Sequence, residues 1–113
     1  MKSILILILA SFIICSTAFS DSPSNIKVDY QGGREILKIM VEHNSDNPAK
    51  HYIKRIVVEL NKKKIIEQVF QGQSDESGLT VSYNVPGTKK GDKYIIYAYC
   101  NIRGKKKIYL TIR

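Results

Sequence analysis

Tryptophan is absent from this 113-residue sequence, histidine occurs twice, and only one of its two cysteines lies beyond an N-terminal apolar run. Each scarcity closes something off. Without tryptophan or a cysteine pair, the buried tryptophan-and-disulfide core of antibody domains cannot be built. A single cysteine cannot form a disulfide within its own chain, so Cys100 is left as a metal ligand, an intermolecular disulfide partner or a small buried apolar residue. No Gly-rich phosphate loop, Ser-His-Asp arrangement or paired-carboxylate motif is present, which leaves nucleotide and hydrolytic chemistry without candidates. No segment after the apolar run carries a sustained 3.6-residue stripe, so helices are not expected there.

The N-terminus reads as a secretory signal peptide. Lys2 supplies the positive start, Ile4 to Ile14 is almost purely apolar, and Ala18 and Ser20 are small residues spaced for cleavage. Cys15 is preceded by Ile14 rather than by a small residue, which favours plain cleavage over lipidation. The run is short for a membrane span and lacks a basic stop-transfer flank. The expectation is a leader over residues 1–20 and one domain over residues 21–113, periplasmic or secreted and not membrane-spanning. Cleavage removes one lysine and no acid, so the formal charge of +8 becomes +7. A basic chain invites a nucleic-acid reading; export, scattered lysines and the lack of an aromatic stacking platform argue against it.

The rest is a succession of alternating segments. Ile26, Val28 and Tyr30 alternate with polar residues, Gln31 to Arg34 forms a turn, and Ile36 to His43 resumes with Leu37, Ile39 and Val41 on one face. Asn44 to Lys50 (NSDNPAK) is a loop, and His51 is expected to open the next strand, where Ile56, Val58 and Leu60 face one way. Asn61 to Lys64 is a hairpin turn into Ile65 to Gln71. Gly72 to Gly78 is a polar connection long enough to change sheets, Leu79 to Val85 alternates strictly, and Tyr94 to Cys100 and Ile108 to Ile112 complete the set. About seven short strands at roughly ten-residue spacing predict an all-β chain, an immunoglobulin-like antiparallel β-sandwich.

The two histidines and the one cysteine of the expected domain all fall at strand ends beside turns: His43 and His51 flank one loop and Cys100 begins another. Imidazole and thiolate together suit iron, copper or zinc, and one pole of a sandwich can gather residues distant in sequence. Two readings stand on spacing alone: a metal centre, or two polar loop residues and a buried thiol.

At these residues the sequence resembles a known family. AYCNIRG, with HYIKRIVVEL upstream, is similar to the iron-binding domain of the desulfoferrodoxin and neelaredoxin superoxide reductases, in matching order from about His43 to Ile112. The resemblance implies a sandwich holding one iron near a pole, with four histidines in a plane and a cysteine on the axis, reducing superoxide to peroxide with electrons from a redox partner protein. It implies that His51 and Cys100 are ligands, with His43 in the position of another histidine. Two ligands have no counterpart. Arg103 stands where the family has its last histidine, and no histidine precedes His43. Arginine cannot lose its proton to ligate a metal. With Lys105 it would instead attract a small anion such as superoxide.

The expectation is therefore an exported, superoxide-reductase-like protein binding iron or another transition metal through His43, His51 and Cys100, with weak or no reductase activity. The alternatives are a metal-free binding module that kept the fold, and a carrier that uses the Cys100 thiol covalently.

Overall fold

The computed structural model describes residues 22–113, and the leader expected over residues 1–20 lies outside the described residues. Seven strands follow in order: β1 (Asn25–Gln31), β2 (Ile36–Glu42), β3 (Ile53–Leu60), β4 (Lys63–Val69), β5 (Gly78–Asn84), β6 (Lys93–Cys100) and β7 (Lys105–Thr111). They form two antiparallel sheets, one ordered β1-β2-β5 and the other β4-β3-β6-β7. This is the expected immunoglobulin-like sandwich, and among the described residues there is no helix.

The alternation in sequence becomes the two inner faces. Leu37, Ile39 and Val41 of β2 and Leu79 of β5 meet Ile53, Ile56 and Val58 of β3 and Tyr94, Ile96 and Ala98 of β6, all buried. Fully burying one such aliphatic side chain is worth about 1.5–3 kcal/mol relative to leaving it exposed. The Gly72 to Gly78 connection does change sheets, since β4 and β5 lie in different ones. At that seam the Tyr83 hydroxyl donates to Gln68 Oε1 at 2.6 Å, tying β5 to β4. Burial pushes the Tyr83 phenol up to about 12.

Several boundaries differ from the sequence reading, β7 beginning at Lys105 rather than Ile108 among them, and two differ for a clear local reason. The β3–β4 hairpin turns on Asn61 and Lys62 alone, both at positive φ (49° and 73°), so β4 begins earlier than expected. Two successive left-handed residues make the tight turn whose twist matches the strands it joins. His51 does not open β3. Its N–H is held by the Asn47 carbonyl at 2.8 Å in a turn, and the strand starts at Ile53.

Pairing across β3, β6 and β7 also builds a feature the sequence reading discounted. Arg55, Tyr99 and Lys105 lie side by side, as do Val57, Tyr97 and Lys107. The Tyr97 and Tyr99 rings stack at 6.3 Å, the Arg55 guanidinium sits 4.0 Å from the Tyr99 centroid, and the Lys105 ammonium lies 5.6 Å from it. Aromatics are thus grouped on one outer face, contrary to the expectation that no aromatic platform forms. Residues far apart in sequence become neighbours only through strand register.

Candidate metal centre

Each of the three candidate ligands is fixed by backbone at one end of the sandwich. His43 follows β2, and its N–H donates to the Ser77 carbonyl at 2.8 Å. This contact depends on Gly78, which begins β5 opposite Glu42 at φ 145°; a Cβ there would collide with the Val41 carbonyl oxygen. Ahead of it, the Asp75 carboxylate accepts from Ser77 Oγ at 2.6 Å, Ser77 N–H at 2.8 Å and Gly78 N–H at 3.2 Å. Those donors, the Ser77 hydroxyl foremost, hold the Asp75 carboxyl below its ordinary range.

His51 is anchored through its carbonyl, which accepts from the buried Ser45 hydroxyl at 2.5 Å. Cys100 ends β6 opposite Ile53, the first residue of β3. Its N–H donates to the Gly104 carbonyl at 3.0 Å, closing the turn, and the Ile102 N–H points at Cys100 Sγ at 3.4 Å. Asn101 binds this turn to the residues on either side of His51. Its Oδ1 accepts from Tyr52 N–H at 2.8 Å, its Nδ2 donates to the Lys50 carbonyl at 2.9 Å, and its own N–H donates to the Tyr52 carbonyl at 2.9 Å.

The outcome is convergence. The ligand atoms of His43, His51 and Cys100 all lie within 4.8 Å of one another. His43 is 2% and Cys100 3% exposed, and His51 is half-buried with its Nε2 fully covered. The two imidazole rings meet edge to face, centroids 4.6 Å apart at 85°.

Gln73, which the sequence reading passed over as part of a polar connection, organises the pole. Its Nε2 donates to the carbonyls of His43 (2.7 Å) and Asp75 (3.0 Å), so the amide oxygen must face the other way. There Oε1 accepts from Ile53 N–H at 3.2 Å and lies 2.8 Å from His43 Nδ1. An amide oxygen can only accept, so the proton of neutral His43 resides on Nδ1 and its Nε2 carries the lone pair. A histidine held in one tautomer by a neighbour is the usual support of a metal ligand. No periodicity or spacing marks Gln73, because three of its four side-chain contacts are to residues 20 and 30 positions away.

No family model matches the chain, and no curated protein is similar to it in sequence at a significant level. Solved structures resemble it in fold. A superoxide reductase (1Fe-SOR) from Giardia intestinalis superposes with a TM-score of 0.58 at 19% identity, covering 84% of this chain and 100% of that one. The chain has the superoxide reductase fold. A neelaredoxin superoxide reductase from Ignicoccus hospitalis (TM-score 0.54, 18% identity, 80% of each chain) and a hypothetical protein from Pyrococcus horikoshii (0.57, 18%, 89% of this chain and 99% of that one) share it. The likeness read from HYIKRIVVEL and AYCNIRG is met at the level of the fold.

The remaining candidates, Arg103 and Lys105, flank Gly104. Arg103 is exposed in the turn after Cys100. Lys105 is exposed at the start of β7, with its ammonium over Tyr99 and Tyr97 on the outer face of the larger sheet. Among the described residues the converging donors number three, two imidazoles and one thiol, against the four imidazoles and one thiolate that the resemblance implies. The set does fit a single soft or borderline ion. Donors sharing an ion at ~2.0–2.1 Å from nitrogen and ~2.3 Å from sulfur lie roughly 3.3–4.4 Å apart, close to the spacing here.

Proposed function

We propose that this protein is an exported, superoxide-reductase-like metal protein in which His43, His51 and Cys100 hold one transition-metal ion, with weak or no superoxide reductase activity. The observation that carries it is the convergence of two imidazoles and a thiol at one pole of a fold shared with superoxide reductases. His43 offers Nε2, with Gln73 holding the proton on Nδ1. Cys100 offers its sulfur as thiolate, which the Ile102 N–H helps to stabilise. A bound redox metal would supply the one-electron exchange that superoxide reduction requires, drawing electrons from a partner protein.

Residues 1–20 would direct export, and no helix of the described residues is long and apolar enough to cross a membrane. Arg103, in the turn after Cys100, would add positive charge near the site and draw a small anion such as superoxide toward it, whereas the Lys105 ammonium lies over Tyr99 on the outer face. Steering raises encounter rate but does not replace two absent imidazoles, and the ligand field sets a redox centre's potential and geometry. Cys100 is 3% exposed, which disfavours a carrier that presents its thiol to other molecules.

The test is metal content after anaerobic purification, for the native protein and Cys100→Ser, followed by stopped-flow superoxide consumption. About one metal per chain, lost in the variant, with slow superoxide consumption is expected. Restoring an imidazole with Arg103→His should raise iron affinity. No retained metal, or native superoxide rates near the diffusion limit, would overturn the reading.

A further inference from the structure

The donor set itself points to a particular metal. We infer that the site selects copper over iron, as a three-coordinate centre of two imidazoles and one thiolate. This rests on the metal reading above and goes further by naming the ion.

Three observations carry it. The cluster contains two nitrogens and one sulfur with no carboxylate, and such trigonal sets are those of copper electron-transfer sites, whereas iron and zinc in nitrogen-and-sulfur sites take at least a fourth ligand. Burial is the second. An ion needing further ligands must admit water or anions, yet His43 and Cys100 are 2% and 3% exposed and only the half-buried His51 borders solvent. A three-coordinate ion needs no such opening. Third, the Ile102 N–H lies 3.4 Å from Cys100 Sγ, and hydrogen bonding around the cysteine sulfur is a main control of potential in copper-thiolate sites. Divalent affinities at a given site rise from iron through cobalt and nickel to a maximum at copper and fall again at zinc, so the intrinsic order reinforces the geometry.

Ligand rigidity favours the same outcome. Cys100 is held through its turn by the Gly104 carbonyl, His43 through Gln73 and Ser77, and Asn101 ties the Cys100 turn to Lys50 and Tyr52 on either side of His51. Donors fixed from three directions cannot spread to make room for a larger coordination number. The pole therefore discriminates by the number of ligands it can offer.

The experiment is a competition. Apo-protein is equilibrated without oxygen against equimolar iron(II), zinc(II) and copper(II), and the bound metal is counted by native mass spectrometry. The copper form is then examined by visible absorption and electron paramagnetic resonance. Copper should occupy one site per chain in preference to iron by more than about tenfold. Its copper(II) form should show an intense thiolate-to-copper visible band, absent in Cys100→Ser and weakened in His51→Ala. The second variant changes a half-buried residue outside the strands, so it tests the ligand set even if Cys100→Ser misfolds. Preferential iron or zinc binding, or a copper form whose spectrum neither variant changes, overturns the copper assignment and leaves a metal centre standing. Absence of binding by all three ions overturns the metal reading itself.

Discussion

Replacing Gln73 by alanine separates a residue that positions a ligand from one that merely fills a loop. The change removes four hydrogen bonds: those to the carbonyls of His43 and Asp75 at 2.7 and 3.0 Å, and those from Ile53 N–H and His43 Nδ1–H at 3.2 and 2.8 Å. A typical protein hydrogen bond contributes about 0.5–1.5 kcal/mol net, and a buried group left unsatisfied costs ~1–3 kcal/mol. Gln73 is only half-buried and water can replace part of what it supplies, so the expected loss of folding stability is about 2–3 kcal/mol. Its effect on metal is separate. Freed from Oε1, His43 can carry its proton on either nitrogen and rotate, and losing an outer partner of a ligating histidine typically lowers metal affinity about 10–100-fold. Gln73→Glu keeps the acceptor toward Nδ1–H while losing the donor toward the two carbonyls. It should recover part of the metal affinity but little of the stability. Urea unfolding of the apo-protein and copper titration of the folded protein measure the two quantities independently. An alanine variant destabilised as expected, yet binding copper within about twofold of the native protein, would refute the tautomer argument.

Gly78→Ala should destabilise the fold by about 2–3 kcal/mol, read from the urea midpoint, because β5 begins at φ 145° hard against the Val41 carbonyl. A near-neutral change would mean that the β2–β5 contact beside His43 is slack. Leu37→Ala, at a fully buried position, should cost about 2–5 kcal/mol and leave so small a domain largely unfolded in thermal melts. Tyr83 should make the fold alkali-sensitive. Its folded pKa of about 12 lies above the unfolded value, so its contribution is complete below pH ~10 and lost as pH rises toward 12. Melting temperature should fall across that window less steeply in Tyr83→Phe, and equal slopes would show that the phenol is not responsible. Asp75 works with the opposite sign. Its carboxyl is held down by Ser77 and Gly78, so its support of the turn beside His43 should be lost as pH falls below its unfolded value near ~3.9. Circular dichroism at pH 2–5 of the native protein and Asp75→Asn measures it, and coincident acid transitions would refute that role.

Much of the fold is written locally. Alternation in Ile36 to Glu42 and Tyr94 to Cys100 dictates which side chains face inward, since successive residues of a strand point to opposite faces, and polar runs such as NSDNPAK can only be loops. That logic places His43, His51 and Cys100 at strand ends, and their chemistry names them as potential ligands. Whether they meet is not a local property. It depends on β3 pairing with β6 so that Ile53 lies opposite Cys100, and on the sheet carrying β2 packing across the core to bring His43 to the same pole. Gln73 was invisible for the same reason: its role consists of contacts closed only when the β4–β5 connection crosses between the sheets. Lys105, placed near the Cys100 turn by sequence order, is drawn over Tyr99 on the outer face by strand register. Short-range periodicity is encoded residue by residue, whereas a site made of three donors and one positioning amide exists only once separate strands have been closed onto one another.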